Sequence, residues 1–176
     1  MAANRHAAHD AEAEQEQPDY SVLTEKGLQT LELAEELFKD FNPERGLLSD
    51  LPQVTVDAAG IADICRLAKS DSNLDLKMLL CLSCVDYEES FQLVYFLHSL
   101  EREQTLVVKA NLPYEDPEIP SVSDVWAAAE WYEREARDLF GVTFVGNPDS
   151  APLLLYEGFG GYPGRKSYPF YEYREF

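Results

Sequence analysis

Two cysteines separated by two residues, Cys81 and Cys84, are the first residues in the chain whose spacing points to a chemistry. Such a pair can exchange disulfides or bind a metal ion. Both lie in an apolar run that is predicted to be a strand, where residues three apart point to opposite faces. Cys65 is the only other cysteine, so four cysteine ligands for an iron–sulfur cluster are not available in this chain. We therefore interpret the cysteines as small core residues, with thiol redox chemistry as the alternative.

Other signatures of catalysis are missing from the sequence. It contains neither glycine-rich phosphate-binding pattern, G-x-G-x-x-G or G-x-x-x-x-G-K-[ST], and neither G-x-S-x-G nor H-E-x-x-H. His6 and His9 lie near the amino terminus, and His98 lies in an apolar run that favours a packing role. We expect no catalytic residue, no metal site and no cofactor-binding site in this chain.

A dense cluster of charged and aromatic residues lies at 126–141, WAAAEWYEREARDLFG. On a helix, three pairs of opposite charge are four residues apart: Glu130–Arg134, Glu133–Arg137 and Arg134–Asp138. Carboxylates in pairs can act as acids and bases, but an arginine at helical spacing from each one favours a structural role. Because bulky aromatic residues share the segment, we expect these charges to be partly buried anchors, within the domain or across an interface.

The elements before this cluster are predicted from hydrophobic periodicity. Residues 24–41 form an amphipathic helix whose inward side chains are Leu28, Leu31, Ala34, Phe38 and Phe41. A loop at 43–53 follows, and then a short strand over Gln53–Val56. Asp57 is predicted to cap a second helix that runs to about Lys69.

Three apolar runs in the centre of the chain are predicted strands, at 74–86, 91–100 and 105–112. Their short polar joints predict antiparallel hairpins. After an acidic loop at 113–120, Ser121 or Ser123 is expected to cap a helix that Gly141 ends. This order predicts an α+β fold, a two-layer domain with a mixed, mostly antiparallel sheet and helices on one face.

Composition divides the chain into three segments. Residues 1–20 are acidic with almost no large apolar side chains, which predicts a disordered tail, and 21–145 form the α+β scaffold domain. Residues 146–176 combine glycines and prolines with many aromatic residues, which predicts an extended, irregular C-terminal arm. Such an arm should lie on something, and the sequence leaves open whether this is a partner or its own domain.

The formal net charge is −19, from 14 basic and 33 acidic residues. This charge disfavours binding to nucleic acid and to anionic lipid. The longest apolar stretch, Met78 to Val85, is far shorter than the roughly 20 residues that a membrane-spanning helix needs. We expect membrane contact only through partner proteins, and the few cysteines fit a reducing cytoplasm.

Taken together, several motifs resemble the C-type subunit of NADH:quinone oxidoreductase, also called the thirty-kilodalton subunit family of respiratory complex I. WYEREARDLFGV is followed by F-x-G-x-P-D and later by G-x-P-x-R-K-x-Y-P, and the resemblance covers roughly residues 30–170. The positions that carry it and that we single out as the interface or structural signature are Trp131, Glu133, Arg134, Glu135, Asp138, Phe140, Gly141, Pro148, Asp149, Arg165 and Lys166. The sequence departs from the family pattern at Asn147, Ala151, Pro152, Gly164 and Ser167.

The resemblance implies a non-catalytic scaffold subunit that supports electron transfer to quinone in the peripheral arm of a proton-translocating complex. It implies B-, D- and I-type subunits as partners, with flavin and iron–sulfur clusters in partner subunits, on the cytoplasmic side of the inner membrane. Two relatives of this role remain as alternatives, a membrane-bound [NiFe] hydrogenase subunit and a subunit of a ferredoxin-using, photosynthetic-type complex. A free-standing thiol redox protein and a monomeric interaction domain are the alternatives of other classes.

Overall fold

A computed structural model describes residues 18–149 and 151–169. Five strands form its main sheet in the order β1-β2-β5-β4-β3: β1 (Glu44–Leu48), β2 (Leu51–Val56), β3 (Met78–Asp86), β4 (Ser90–Ser99) and β5 (Gln104–Pro113). Only the β2–β5 pair is parallel, and the other three pairs in this sheet are antiparallel. The mixed, mostly antiparallel sheet predicted from the sequence is therefore confirmed.

Three helices accompany the sheet: α1 (Glu25–Leu37), α2 (Ile61–Ser70) and α3 (Ala129–Phe140). Thr24 caps α1 by accepting a hydrogen bond from the Gly27 amide at 3.1 Å. The apolar stripe of α1 is buried at Leu31, Ala34 and Phe38, whereas Leu28 is 37% exposed. The first helix thus begins where the sequence predicts, although its stripe is narrower than expected.

Alternation along the central strands separates the two faces of the sheet. Leu93, Tyr95 and Leu97 of β4 are fully buried and join the core beneath the helices, together with Leu106 and Val108 of β5. Each buries an apolar side chain that would otherwise face water, worth on the order of 2 kcal/mol. The hairpins β3–β4 and β4–β5 pack on this core, and α3 packs along β3.

Two segments predicted to be loops contain strands. The predicted loop at 43–53 contains β1, which pairs with β2 through a tight turn at Ser49, where φ is 56°. The predicted loop at 113–120 contains β6 (Glu118–Pro120), which pairs in parallel with β7 (Thr143–Val145). Both are short strands in which apolar and polar residues do not alternate. They become strands because they pair with a neighbouring strand, which their own sequence pattern does not predict.

The predicted helix caps are also wrong in part. Asp57 precedes a 3₁₀ turn (Ala58–Gly60) and gives it no side-chain cap; its carboxylate accepts from Asn42 at 3.0 Å. Neither Ser121 nor Ser123 caps α3, which begins at Ala129 without a side-chain cap. Gly141 ends α3 as predicted, with a left-handed φ of 76°.

The predicted disordered tail lies outside the described residues over 1–17. The part that is described begins at Pro18, and Asp19 caps a short 3₁₀ helix (Tyr20–Val22) by accepting from the Ser21 amide. Tyr20 is partly buried against the core. In the described part of the chain, no helix has the length and hydropathy needed to cross a membrane.

Candidate functional site

Helix α3 presents three charged side chains, each of which holds a different segment of the chain. Glu133 lies nearest the core and is only 1% exposed. Its Oε1 accepts a hydrogen bond from the Val122 amide at 2.8 Å, and its Oε2 accepts from the Ser121 hydroxyl and the Asn147 amide group, both at 2.7 Å. Glu133 therefore joins the segment before α3 to the segment that follows β7.

Arg134, one position further along, holds the beginning of the arm. Its guanidinium forms an ion pair with Asp149 at 2.9 Å and donates to the carbonyls of Ala151 and Pro152 at 3.1 and 3.2 Å. The side chain is only 11% exposed, and it lies over the ring of Trp131 at 5.3 Å from the ring centroid. Three polar contacts and one aromatic contact thus fix this arginine.

Asp138 holds the next part of the arm through a single oxygen. Its Oδ2 accepts hydrogen bonds from three successive backbone amides, those of Leu153, Leu154 and Leu155, at 2.8, 2.8 and 3.2 Å. Burial by itself raises the pKa of Asp138, but these amides and the nearby charge of Arg137 outweigh it, and the pKa lies below its ordinary value. The carboxylate is therefore the favoured form at neutral pH.

Arg165 fastens the later part of the arm to the rim of the sheet. Its guanidinium lies 4.6 to 5.1 Å from the ring centroids of Tyr162, Phe91 and Tyr114. Its Nε also donates to the Phe140 carbonyl, at the end of α3, at 2.7 Å. This arginine thus combines cation–π contacts with a hydrogen bond to a carbonyl in the last turn of α3.

Next to Arg165, the Lys166 amide donates to Asp86 at 2.8 Å, and Asp86 is 6% exposed at the end of β3. Gly164 lies so close to α3 that a β-carbon there would stand 2.9 Å from the Leu139 carbonyl oxygen. Likewise, a β-carbon on Gly141 would meet the Tyr162 ring at 2.6 Å. Close approach of arm and helix therefore requires glycine at both positions.

The predicted ion pairs along α3 are wrong for two of these residues. Arg134 pairs with Asp149 of the arm, and Asp138 accepts from backbone amides of the arm. Among the other signature residues, Phe140 is half-buried, whereas Glu135 and Pro148 are exposed and Trp131 is 57% exposed. The structure thus brings most of the signature together as one set of contacts between α3 and the arm, which we call the arm latch.

Sequence reasoning missed several residues that complete this set. Asp86 ends a strand-like run, and a buried carboxylate at the end of a strand is itself a sign of a specific partner. Two departures from the family pattern contact the domain through their side chains: the Asn147 amide group donates to Glu133, and the Ser167 hydroxyl is hydrogen-bonded to the Tyr114 hydroxyl at 2.9 Å. These positions therefore have defined roles in this chain.

The two cysteines of the C-x-x-C pair lie on opposite faces of β3, as predicted. Cys84 pairs across the sheet with buried Leu93 and contacts the core, whereas Cys81 pairs with Phe96. Burial, with a smaller effect of the Asp86 charge, raises the pKa of the Cys84 thiol to about 12, so this thiol is not ionised at neutral pH. Within residues 18–149 and 151–169, no group of three or more His, Cys, Asp or Glu side chains is placed to hold a metal ion.

Replacement of both Cys81 and Cys84 by alanine should leave assembly and activity unchanged. We expect a loss of about 1 kcal/mol in the free energy of unfolding, because Cys84 leaves a small cavity against the core. Denaturant unfolding and a functional assay of the double variant check this. Loss of function with an intact fold would favour thiol chemistry instead.

The buried carboxylate of Glu133 should make stability depend on pH. Burial raises its pKa above the ordinary 4.5, while its hydrogen bonds act in the opposite direction. The folded chain then binds this proton more tightly than the unfolded chain. The contribution of Glu133 protonation to the free energy of unfolding is therefore complete below pH 4.5. It is lost as pH rises through the pKa of Glu133 in the folded chain.

Glu133→Gln cannot ionise, so its free energy of unfolding should fall less than that of the parent chain over the same pH interval. Urea denaturation at a series of pH values measures both curves. An equal or steeper fall in the variant would assign the pH dependence to other groups.

Comparison with known proteins gives consistent results. Residues 54–174 match the family model described as the respiratory-chain NADH dehydrogenase 30 kDa subunit. The chain is 35% identical over 143 residues to one of the C-type subunits of NADH-quinone oxidoreductase in Rhizobium etli, and the match covers 80% of this chain and 76% of that protein. It is 42% identical over 119 residues to the C-type subunit of Rhodobacter capsulatus, and this match covers 66% of this chain but only 59% of that protein.

Two solved structures are similar as well. A chain of the membrane-bound sulfane sulfur reductase, an archaeal respiratory membrane complex, has a TM-score of 0.68 and 29% identity, over 80% of this chain and 86% of that one. A trypsin-resistant fragment (1-134) of Nqo5 has a TM-score of 0.54 and 28% identity, over 70% of this chain and 98% of that one.

Proposed function

Since the chain belongs to the family of the respiratory-chain NADH dehydrogenase 30 kDa subunit, we propose that it is a non-catalytic scaffold subunit. Its place is the peripheral arm of a proton-translocating NADH:quinone oxidoreductase, where it supports electron transfer to quinone. The observation that carries this proposal is the arm latch. The charged side chains Glu133, Arg134 and Asp138 bind the chain's own backbone and side chains, which gives them a structural use.

The partners in this proposal are the B-, D- and I-type subunits, and the flavin and iron–sulfur clusters would lie in partner subunits. The chain would lie on the cytoplasmic side of the inner membrane and touch the membrane only through the complex. The net charge of −19 supports contact with proteins over contact with anionic lipid. Subunits with basic surfaces would meet this chain with complementary charge.

The outer side of the arm supports a docking role. Leu154 is 58% exposed, Tyr156 is 72% exposed and Trp131 of the neighbouring helix is 57% exposed. Three large apolar or aromatic side chains that lie exposed are costly to leave in water. Aromatic side chains in particular are favoured at protein interfaces. The arm would therefore contact its own domain with one side and a partner subunit with the other.

A second candidate function is the equivalent subunit of a related membrane-bound respiratory complex. The similarity to a chain of the sulfane sulfur reductase complex favours it, because that match covers 80% of this chain. A [NiFe] hydrogenase belongs to the same group of alternatives. All of these use the chain as a scaffold and differ in the electron donor or acceptor.

Affinity purification of the tagged, full-length chain in mild detergent tests the proposal. Mass spectrometry should identify iron–sulfur and membrane subunits of a quinone oxidoreductase, and the flavin-containing NADH subunits decide between the two candidates. If a nickel-containing or sulfur-reducing subunit is found in place of the NADH subunits, the result would favour the second candidate, a related membrane-bound respiratory complex. Recovery of a soluble chain by itself would overturn the scaffold function.

A further inference from the structure

The arm is attached to the domain by polar contacts and turns apolar side chains outward. Leu153, Leu154 and Leu155 are held through their backbone amides, yet Leu154 and the following Tyr156 are mostly exposed. This arrangement is the reverse of ordinary packing, in which apolar side chains face the core and polar groups face water. The contacts with the domain therefore fix the path of the backbone and leave the side chains of Leu154 and Tyr156 available, whereas Leu153 and Leu155 are partly buried.

Asp138 occupies a position that is unfavourable for a carboxylate. It lies in the last turn of α3, where the partial negative charge of the helix terminus repels an anion. Burial disfavours its charge as well. Three backbone amides that converge on one oxygen compensate for both effects, and they do so only when residues 153–155 follow the path seen here.

We propose that Asp138 preorganises the arm for docking, so that the exposed side chains of Leu154 and Tyr156 are already in their binding positions before a partner subunit arrives. This inference rests on the proposed function. It adds an explanation of how the docking residues are held in place before binding. A partner that meets an ordered arm does not bear the entropic cost of ordering it. Asp138 is thus a positioning residue, since it acts through the backbone of 153–155.

Asp138→Ala in the full-length chain tests the proposal, with Glu32→Ala as the matched control. Glu32 is an exposed carboxylate on α1 and lies outside the signature positions, and its replacement makes the same change in net charge. Hydrogen exchange should be faster at the amides of 153–155 in Asp138→Ala by on the order of tenfold or more, and unchanged in the control. Unaltered protection of the β4 amides shows that the domain is still folded.

Assembly is measured by co-expression of variant and parent chains with different tags and by their ratio in the purified complex. We expect Asp138→Ala to be under-represented by roughly tenfold, Asp138→Asn to be intermediate because it keeps an oxygen acceptor, and Glu32→Ala to be present in equal amount. An equal ratio for Asp138→Ala, with faster exchange at 153–155, would overturn preorganisation. A ratio of Asp138→Ala to parent chain above one would overturn preorganisation as well, and would show that the arm must leave the domain to bind.

The two proposals fail in different ways. If the arm does not dock at all, its complete removal also leaves assembly unchanged. If the arm docks but is not preorganised, its removal prevents assembly while Asp138→Ala does not.

Discussion

A chain that ends at Val145 should remain folded and yet fail to enter the complex. All seven strands and three helices of the described residues lie before this point. The truncation removes the exposed arm residues Leu154 and Tyr156 together with the latch contacts behind them. A few buried aromatic residues dominate the affinity of a typical interface, so we expect recovery with the complex to fall by about a hundredfold or more.

Circular dichroism and co-purification from the same cells measure the two halves of this prediction. The melting temperature should fall by several degrees, because Arg165 no longer covers the Phe91 ring and no longer donates to the Phe140 carbonyl. A chain that ends at Pro169 is the control. If the shorter chain joins the complex as the parent does, the arm is not the docking element.

Glu133→Ala should cause the largest loss of stability of any single substitution in α3. It leaves the Val122 amide, the Ser121 hydroxyl and the Asn147 amide group without their acceptor in a buried site, and it also opens a cavity. Each buried donor that is left without a partner costs about 1–3 kcal/mol, so we expect a total loss of several kcal/mol. For a domain of this size the melting temperature should fall by roughly 10 °C.

Thermal unfolding of Glu133→Ala and Glu130→Ala provides the comparison. Glu130 lies on the same helix, one turn earlier, and is only half-buried, so its replacement should change the melting temperature by less than about 2 °C. Equal effects of the two substitutions would mean that the contacts of Glu133 add nothing to the stability of the fold.

The parts of the fold that local patterns could predict are those that form from neighbouring residues. The stripe of Leu31, Ala34 and Phe38 and the short joints between β3, β4 and β5 carry their own structural information. Strand β1 does not, because its sequence, ERGLL, has a glycine and charges and becomes a strand only beside β2. Strands β6 and β7 are three residues each and depend on a partner distant in sequence.

In the candidate site, too, local patterns predict some features, and contacts with distant residues determine the others. The family resemblance identified Glu133, Arg134 and Asp138 as important, whereas helical spacing assigned the latter two the wrong partners. Spacing considers only residues on one helix, and an exposed ion pair four residues apart is worth little. Backbone amides that converge on Asp138 come from 15 to 17 residues away and offer stronger contacts. No pattern in the sequence predicts where an irregular arm will place its amides.

The parallel pairing of β2 with β5 has a consequence for the order of folding. β2 ends at Val56 and its partner begins at Gln104, so the pair closes a long loop, whereas β3, β4 and β5 follow one another through tight turns. Loop closure is slower for distant segments, so we expect the β3–β4–β5 meander to form first and β2 to join it later. On the ribosome, at about 5–20 residues per second, β2 waits several seconds for its partner to emerge. During that interval the apolar side of the β1–β2 hairpin is protected from aggregation chiefly by α1, which packs on both strands.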